Sequence, residues 1–318
     1  MVAPIGRIAP LSRLHCPRRS RAGLMKCARA HLASNVMASG NSFVGKNVLV
    51  CGGSRGIGLA TAMAIVRRGG SVCIVARDAG VLADAERQLL ASRVQPDQVI
   101  ETMACDTSDE TRLRPLLEDY VSRRGVPDYL INNVGFAYPQ YVQKLTVDDF
   151  RRNMDINYYG QLVPLLILLP HFIAARKGHI ATVSSMLGFM GIVGYASYAP
   201  TKFALVGLTD SLRNELKPHG ISFSILYPPD TDTEGYEKEN RTKPRETQLM
   251  SASVKLMSAD TLAEVFVRGL LKRQYAIMPM SARWVWWLNR LLPGFVRWVM
   301  DSDYEKARRE MAGEPRGG

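Results

Sequence analysis

The stretch that decides the fold is residues 47–58, Asn-Val-Leu-Val-Cys-Gly-Gly-Ser-Arg-Gly-Ile-Gly. The apolar run 47–51 predicts a buried strand, and the segment from residue 57 predicts a helix. Glycines between them permit a tight turn and let an anion approach the amides at the helix start, where the helix dipole favours negative charge. Because the cluster lies between strand and helix, it predicts a dinucleotide-binding turn. Its members are Gly52, Ser54, Arg55, Gly56, Ile57 and Gly58.

The segment beyond this turn alternates short apolar runs with longer amphipathic ones. Strands are expected at 47–51, 71–76, 99–105, 129–132, 179–184, 221–227 and, weakly, 275–277. Helices are expected at 57–69, 79–92, 109–124, 146–175, 198–217 and 259–273. Strict alternation implies right-handed crossovers and a parallel sheet that is covered on both faces. The sequence therefore predicts an α/β fold with a doubly wound, Rossmann-type sheet in one domain over 45–280, with tail 281–318.

The charge is unevenly distributed along the chain. Of the formal net charge of +12 on 318 residues, seven units come from residues 1–36, which contain no acid. The rest is only mildly basic, so no nucleic-acid partner is needed to explain the charge. The basic extension 1–44 has the composition of a transit peptide, while a disordered tail and a start misassigned ahead of Met37 stay open.

The cysteines and the apolar runs exclude several protein classes. Five cysteines without a C-x-x-C pair argue against a disulfide scaffold and against a structural zinc site, so no metal centre is expected. Unpaired cysteines also favour a reducing compartment. Since 47% of the residues are apolar, a full core can form. The most apolar run, 162–175, is short and contains two prolines, so a membrane-spanning helix is not expected.

The choice of nucleotide is expected to depend on the end of the second strand. There the sequence is Val75-Ala76-Arg77-Asp78. Arg77 can form a bidentate pair with a phosphate, and Arg55 in the glycine turn can reach the same group. This favours NADP(H) over NAD(H). The alternative is that both arginines are ordinary surface charges, and the nearness of Asp78 to Arg77 keeps it open.

Tyr198 and Lys202 lie four residues apart at the start of a predicted helix. Such residues share one helix face, so the ammonium can sit near the phenol and lower its pKa from about 10. Tyr198 is then a candidate general acid near neutral pH. The spacing alone is equally typical of a solvated helix face.

The order of the motifs along the chain narrows the interpretation. The glycine turn is followed by Asn132-Asn133-Val134-Gly135, by Ser184-Ser185 and then by the Tyr198 and Lys202 pair. Over residues 46–280 this order resembles the short-chain dehydrogenase/reductases. The resemblance implies that the protein is an NADPH-dependent oxidoreductase acting on a ketone. It also implies that Ser185 polarises the substrate carbonyl, Tyr198 donates the proton and Lys202 also binds the nicotinamide ribose.

The same resemblance assigns further residues. Asn157 matches the asparagine that steadies a proton-relay water, Asp106 the acid at the adenine ring and Asn133 the asparagine that stabilises the sheet. The remaining expected cofactor contacts are Thr107, Pro228, Thr231 and Thr233. The chain departs from the family pattern at Cys51, Pro200 and Pro229. None of these departures removes a catalytic group.

The loop 228–257 is expected to determine the substrate, because loops on a rigid scaffold set specificity. Its runs Pro-Pro-Asp-Thr-Asp-Thr and Glu-Asn-Arg-Thr-Lys-Pro resemble those of 3-ketodihydrosphingosine reductases. The resemblance implies reduction of a long-chain amino ketone to dihydrosphingosine in sphingolipid synthesis. Asp230, Asp232 or Glu234 could then pair with the substrate ammonium. The alternative is that these acids cap the loop or face solvent.

The tail 281–318 bears on where the protein works. All four tryptophans lie within residues 284–298, and Arg283, Arg290 and Arg297 recur every seven residues. Tryptophan favours the headgroup zone of a membrane and arginine reaches its phosphates, so residues 283–300 predict an interfacial helix, bent at Pro293. A lid over the pocket or a dimer contact is the alternative. The expected location is a membrane surface that faces the cytoplasm, that of the endoplasmic reticulum in a eukaryote or of the inner membrane in a bacterium. Organellar targeting by residues 1–36 and homo-oligomerisation stay open.

The sequence also leaves room for other functions, two of which belong to different classes of protein. Residues 52–56 also fit G-x-S-x-G, which would make Ser54 the nucleophile of a serine hydrolase. That turn follows the first recognisable strand, however, whereas a nucleophile elbow follows a strand deep in the sheet. A non-catalytic NADPH-binding membrane protein is a second alternative. Among enzymes, a reductase of steroids, retinoids or 3-oxoacyl groups is the nearest competitor.

Overall fold

The computed structural model describes residues 42–252 and 254–313. The basic stretch 1–36, with its three interpretations, lies outside the described residues. The strands are β1 Asn47–Cys51, β2 Ser71–Ala76, β3 Ile100–Ala104, β4 Tyr129–Asn132, β5 Gly178–Val183, β6 Ile221–Leu226, β7 Thr231–Asp232, β8 Met257–Ser258 and β9 Ala276–Ile277. The helices are α1 Gly56–Val66, α2 Ala79–Ala91, α3 Glu110–Arg124, α4 Val147–Met154, α5 Gly160–Ala175, α6 Ala199–Glu215, α7 Glu234–Asn240, α8 Arg245–Ser251, α9 Ala259–Leu271, α10 Met280–Leu291 and α11 Pro293–Met311.

Seven strands form one parallel sheet in the order β3-β2-β1-β4-β5-β6-β9. The order reverses next to β1, whose neighbours are β2 on one side and β4 on the other. Cys51 at the end of β1 is in register with Val75 and Asn132, so the carboxyl ends of these strands meet at one edge. In such sheets ligands bind in the crevice at this switch point. The predicted doubly wound sheet is confirmed.

Each strand contributes to a core on both faces of the sheet. Along β1, Val48 and Val50 belong to one buried cluster, and Leu49 and Cys51 belong to the other. This follows from the two-residue period of a strand, and it explains why the central strands are almost wholly apolar. Phe43 is fully buried in the first cluster, although it precedes residue 45, where the domain was expected to begin. The core thus uses a residue that the sequence analysis assigned to the extension.

The long helical segment predicted at 146–175 consists of three parts. Between α4 and α5, residues Asp155–Tyr159 form a π-helical turn, a feature that often marks functional sites. Within the described residues, Val147–Ala175 is long and apolar enough to cross a membrane by length and composition, with a mean hydropathy of 1.4 in its most apolar window. Its apolar character has a local explanation, because much of α5 packs into the core; the packed residues are Val163, Leu165, Ile167, Leu168 and Phe172.

The substrate loop and the tail both contain helices, and they contact each other. The loop 228–257 contains α7, α8 and a small parallel pair of β7 with β8, none of which was predicted. The tail helix is interrupted at Leu292, between α10 and α11, where Pro293 predicted a bend. Helix α11 packs against α8, and Asn289 Nδ2 donates to Phe189 O at 2.8 Å. The tail therefore contacts the loops beyond β5 and β6.

Candidate active site

The glycine turn is shaped by close backbone approach. Gly52 and Gly56 have φ angles of +79° and +52°, which favour glycine. A Cβ on Gly58 would lie 2.0 Å from Gly52 O, and Asn133 Nδ2 donates to that same oxygen at 2.9 Å. The side chain of Arg55, the N-cap residue of α1, makes no capping hydrogen bond to the first turn of that helix. The free amides and the missing side chains fit the pyrophosphate of a dinucleotide.

The two arginines expected at a 2′-phosphate have different surroundings. The Arg77 side chain is 68% exposed just beyond β2, and its Nη1 lies 3.7 Å from Asp106 Oδ2. Arg55 forms an ion pair with Glu234 of the substrate loop. Asp78, whose nearness to Arg77 kept the surface-charge interpretation open, has a different partner, because its carboxylate accepts from Val81 N at 3.0 Å and caps α2. Arg77 is therefore the arginine more open to an anionic ligand.

The other expected cofactor contacts surround the same crevice. Asp106 accepts from the backbone N and the hydroxyl of Ser108, and Thr107 is buried beside it. Pro228 O accepts from Met186 N at 3.1 Å. Thr231 is buried, and Thr233 caps α7 and approaches Gly56 so closely that a Cβ there would lie 3.2 Å from Thr233 Cγ2. The start of the substrate loop thus borders the glycine turn.

Asn157 lies in the π-helical turn and is fully buried. Its Oδ1 accepts from Phe136 N at 2.6 Å, and its Nδ2 donates to Phe136 O at 2.9 Å and to Thr201 Oγ1 at 3.0 Å. The amide therefore joins the loop after β4 to the start of α6. A Cβ on Gly135 would lie 3.2 Å from Lys202 Nζ and 3.9 Å from Asn157 Oδ1, so both side chains border that glycine.

Ser185, Tyr198 and Lys202 come together at the carboxyl end of β5. Lys202 Nζ lies 5.5 Å from the centre of the Tyr198 ring and donates to Val183 O at 3.1 Å. The Ser185 hydroxyl accepts from Leu187 N at 3.1 Å and is close enough to Tyr198 to influence the pKa of its phenol. Pro200 lies in the first turn of α6, where no intrahelical amide donor is needed. The three groups that sequence order singled out thus share one pocket wall.

The electrostatics of this wall differ from the sequence expectation. Burial raises the pKa of Tyr198 above its usual value, the carboxylates of Glu239 and Asp230 raise it further, and Ser185 acts in the opposite direction. Burial also lowers the pKa of Lys202 to about 7, because its side chain is almost completely enclosed. The prediction that Lys202 would lower the pKa of Tyr198 below its usual value is therefore wrong, because burial and the two carboxylates raise it. Tyr198 is a neutral phenol at neutral pH and has a proton to donate.

The three loop acids expected to meet a substrate ammonium are dispersed. Glu234 is exposed and pairs with Arg55 and with Lys238, whose Nζ lies 2.8 Å away. Asp232 is exposed on β7. Asp230 Oδ2 accepts from the hydroxyl of Tyr236 at 3.2 Å, and its charge contributes to the raised pKa of Tyr198. Of the three, Asp230 is the one with an electrostatic effect on the tyrosine.

The sequence analysis missed a buried polar group beside Tyr198. The Tyr195 hydroxyl donates to Glu239 Oε1, and Lys243 Nζ lies 3.7 Å from that oxygen. The Tyr195 and Tyr198 rings pack edge to face with centroids 5.9 Å apart. Glu239 and Lys243 belong to the run Glu-Asn-Arg-Thr-Lys-Pro that supported the loop resemblance, and their four-residue spacing was the available signal.

Two of the described histidines, His171 and His179, have side-chain partners outside the glycine turn. His179 is buried and hydrogen-bonded to Ser222 and Ser224, at 2.7 and 2.8 Å, and His171 pairs with Glu118. These contacts leave neither ring as a base for Ser54, which argues against a serine hydrolase. Among the described residues, no group of three or more metal-ligating side chains is present.

Comparison with solved structures supports the fold. Levodione reductase superposes with a TM-score of 0.68 at 24% identity, covering 74% of this chain and 96% of that one. A short-chain type dehydrogenase/reductase from Mycobacterium marinum also gives a TM-score of 0.68, at 21% identity, covering 76% of this chain and 96% of its own. At these identities the likeness establishes a shared architecture.

Comparison of sequences identifies the family. The 3-dehydrosphinganine reductase of Danio rerio is 33% identical over 232 residues, covering 73% of this chain and 70% of that protein. The 3-ketodihydrosphingosine reductase of Dictyostelium discoideum is 35% identical over 254 residues, covering 75% and 76%. The model of the short chain dehydrogenase family matches residues 46–244, well over half of the chain. The protein therefore belongs to the short-chain dehydrogenase family of nicotinamide-dependent oxidoreductases.

Proposed function

We propose that the protein reduces 3-ketodihydrosphingosine to dihydrosphingosine with NADPH, a step of sphingolipid synthesis. The observation that carries the proposal is the half-buried Tyr198 phenol, which shares the carboxyl end of β5 with Ser185 and whose ring centre lies 5.5 Å from Lys202 Nζ. The names of the relatives from Danio rerio and Dictyostelium discoideum support the choice of ketone. The long polar loop after β6 supports it as well, because its sequence resembles that of such reductases.

The chain's own residues suit the reduction of a ketone. NADPH, when bound, supplies the hydride for the carbonyl carbon. Ser185 donates a hydrogen bond to the carbonyl oxygen and stabilises the negative charge that develops there. Tyr198 gives its proton to that oxygen and is afterwards reprotonated from solvent. Lys202 orients the nicotinamide ribose, and Asn157 holds the loop at Phe136 against α6 so that the pocket wall keeps its shape.

The preference for NADPH over NADH rests on Arg77. Its exposed guanidinium lies at the carboxyl end of β2, where the ribose 2′ position of a dinucleotide is read. A guanidinium suits a phosphate, whereas an acid would suit a hydroxyl. The acid that follows Arg77, Asp78, is engaged as the N-cap of α2. The location therefore supports NADPH.

The decisive experiment is a comparison of substrates. Purified protein is given NADPH with 3-ketodihydrosphingosine, a steroid ketone, a retinoid and a 3-oxoacyl thioester, and the oxidation of NADPH is followed. We expect the amino ketone to have the highest kcat/KM. The Tyr198→Phe variant should lose about 10²- to 10⁴-fold in kcat, because it lacks the proton donor. A higher kcat/KM with any other ketone would contradict the substrate assignment, and an active Tyr198→Phe variant would contradict the assigned donor.

Asp230 is proposed as the partner of the substrate ammonium, with Asp232 and Glu234 as weaker candidates. Asp230 influences the Tyr198 phenol, and the ammonium of the amino ketone is attached next to the reacting carbon. We expect Asp230→Asn to raise KM for the amino ketone about tenfold, the scale of one lost charge-assisted hydrogen bond. The exposed Asp232 provides the matched control, Asp232→Asn. Equal KM values in the two variants would contradict the assignment.

The tail is proposed to contact a membrane surface that faces the cytoplasm. Its helices expose large apolar side chains next to three arginines; the exposed residues are Trp284, Trp287, Leu288, Leu291, Leu292, Phe295 and Trp298. Tryptophan and arginine suit the headgroup zone of anionic lipid. Because Asn289 and the buried Ala282 tie α10 to the fold, substitutions test this better than deletion.

The membrane test compares two sets of substitutions. Trp284→Ser, Trp287→Ser and Trp298→Ser are combined in one variant, and binding to phosphatidylserine-containing vesicles is measured by co-sedimentation. We expect most of the binding to disappear. The control, Leu90→Ser with Leu116→Ser, removes exposed apolar side chains from α2 and α3 and should bind like the wild type. Unchanged binding of the tryptophan variant would refute the membrane contact.

A further inference from the structure

A buried polar chain links the substrate loop to the wall that contains Tyr198. It begins at Lys243, whose side chain is only 2% exposed and whose Nζ lies 3.7 Å from Glu239 Oε1. The same carboxylate oxygen accepts the hydroxyl hydrogen of Tyr195. Tyr195 precedes α6 and contacts Tyr198, whereas Glu239 is on α7. Three side chains thus connect two segments that lie 44 residues apart.

This arrangement has a cost that packing alone would not require. An ionised carboxylate and an ammonium removed from water are unfavourable unless each is well paired. Burial raises the pKa of Glu239, while Tyr195 and Lys243 oppose that shift. Lys243 Nζ also lies 4.5 Å from the centre of the Tyr236 ring, so the ammonium has an aromatic face as well as a carboxylate. The pair fixes Glu239 in one orientation.

Tyr195 in turn contacts the Tyr198 ring directly. The two rings meet edge to face, at an interplanar angle of 62°. The carbonyl oxygen of Tyr195 also accepts from the amides of Tyr198 and Ala199, at 3.0 and 2.9 Å. A change in the position of Tyr195 would therefore move both the ring and the backbone of Tyr198.

We infer that Glu239, held by Lys243, is a positioning residue that acts through Tyr195 to fix the phenol of Tyr198. The inference rests on the proposed role of Tyr198 as proton donor. Glu239 itself need not touch the substrate. Besides the effect of its charge on the pKa of Tyr198, Glu239 has a geometric effect, because proton transfer requires the phenol to lie within hydrogen-bonding distance of the carbonyl oxygen.

The central test removes one hydroxyl group. Tyr195→Phe keeps the ring that packs on Tyr198 and keeps the Glu239 pair with Lys243, but it loses the hydrogen bond from the Tyr195 hydroxyl to Glu239. With 3-ketodihydrosphingosine and NADPH, we expect kcat to fall about tenfold, with KM for NADPH unchanged, since small misplacements of a reacting group are costly. Tyr141→Phe is the matched control, because Tyr141 also donates to a loop carboxylate, Glu246, at 2.6 Å without contacting Tyr198. It should retain the wild-type kcat.

Further variants separate positioning from charge and from folding. Glu239→Ala should lower kcat as Tyr195→Phe does, and the two combined should be no worse than either, because they break one connection. Glu239→Gln combined with Lys243→Met removes both charges but keeps an acceptor for Tyr195, so we expect kcat within about twofold of wild type if the hydrogen bond is what matters. Thermal melting of each variant identifies any loss that comes from unfolding, while Tyr195→Phe, nearly isosteric, gives the deciding result.

Three outcomes would overturn the inference. One is a wild-type kcat in Tyr195→Phe, and another is additive losses in the combined variant. The third is a raised KM for the amino ketone at unchanged kcat in Glu239→Ala, which would make Glu239 an ammonium ligand instead. Failure of the proposed function gives different results, namely no turnover by the wild-type protein or full activity in Tyr198→Phe.

Discussion

Two sides of the sheet edge differ in how their charged side chains are placed. The side proposed to bind the nucleotide, formed by the glycine turn and Arg77, exposes them. The side proposed to bind the substrate, formed by Ser185, Tyr198, Lys202 and the loop 228–257, buries Lys202 and Lys243. Arg55 and Arg77 have side-chain exposures of 45% and 68%. By contrast, Lys202 and Lys243 are almost inaccessible. Both sides lie at the carboxyl ends of strands of one parallel sheet, β1 and β2 on one side and β5 and β6 on the other, so the difference arises from the segments that cover them.

The difference separates two ways of building a site. The glycine turn leaves out side chains so that backbone amides can approach an anion, and exposed arginines complete it at little cost to folding. On the substrate side, enclosed ammonium and carboxylate groups surround Tyr198, and the protein is less stable for containing them. Removing the exposed Arg77 should therefore change nucleotide affinity with little effect on stability, while removing the enclosed Lys202 should change turnover and stability in opposite directions.

The largest expected effect is that of Lys202→Met. Turnover should fall by at least about 10²-fold, because the group beneath Tyr198 and the nicotinamide ribose is lost. Stability should rise, since methionine fills a similar volume without a charge and Val183 O keeps a second donor in Gln161. At pH 6 the gain in the free energy of unfolding should be on the order of 5 kcal/mol, because the pKa of Lys202 is lowered to about 7 from its usual value. Chemical denaturation and steady-state kinetics measure the two effects.

The gain should depend on pH in a defined way. The pKa of Lys202 is about 7 in the folded protein and about 10.4 when unfolded, so between these values the unfolded chain binds more protons. The wild type therefore becomes more stable as the pH rises from 7 to 10, and the advantage of Lys202→Met disappears over that interval. Lys177→Met, at an exposed lysine, should show no such dependence. A constant advantage would break the contrast between the two sides.

Next in size is Gly58→Ala on the nucleotide side. The added Cβ would lie 2.0 Å from Gly52 O, so the turn must open, at a cost of about 1 to 3 kcal/mol in stability together with most of the NADPH affinity. Gly207→Ala in α6 has open space around its Cβ and should stabilise by about 0.5 to 1 kcal/mol. Thermal unfolding and fluorescence titration of NADPH measure both variants. Retained affinity in Gly58→Ala would show that the turn is not the phosphate site.

The smallest expected effect is that of Arg77→Ala, which sharpens the nucleotide half of the comparison. Affinity for NADPH should fall about 10- to 100-fold relative to NADH, since a charge-assisted bond contributes about 1.5 to 3 kcal/mol. Stability should hardly change, because the side chain is mostly exposed. Arg87→Ala removes another exposed arginine, on α2, and serves as control. Equal losses of NADPH and NADH affinity would contradict the 2′-phosphate assignment.

The nucleotide side could be predicted from sequence because its signals are local. A strand, a glycine turn and a helix follow one another within residues 47–66, and the parallel sheet follows from the alternation of strands and helices. The pairing of Tyr198 with Lys202 needed only the geometry of one helical turn. In each case the residues that act together are close in the chain or repeat regularly along it.

The substrate side could not be predicted to the same extent, because its contacts join distant segments. Glu234 was expected at the ammonium, but it pairs with Arg55, 179 residues away. Glu239 and Lys243 have the spacing of a solvated helix face, and only packing shows that they are enclosed. The shifted pKa of Lys202 likewise depends on its burial, and its Nζ donates to Val183 O at the end of β5, 19 residues away, a contact that no local pattern contains.

The π-helical turn at Asp155–Tyr159 has a consequence for the long helical segment 147–175. A π-helical turn holds one more residue than an α-helical one, so the side chains after it are rotated by about 100° relative to an uninterrupted helix. The inward face of α4, where Asn153 is buried, therefore does not continue in phase into α5. A helical wheel drawn through the whole segment would assign the wrong face to one half. That single additional residue lets Asn157 point inward while α5 still presents Leu168 and Phe172 to the sheet.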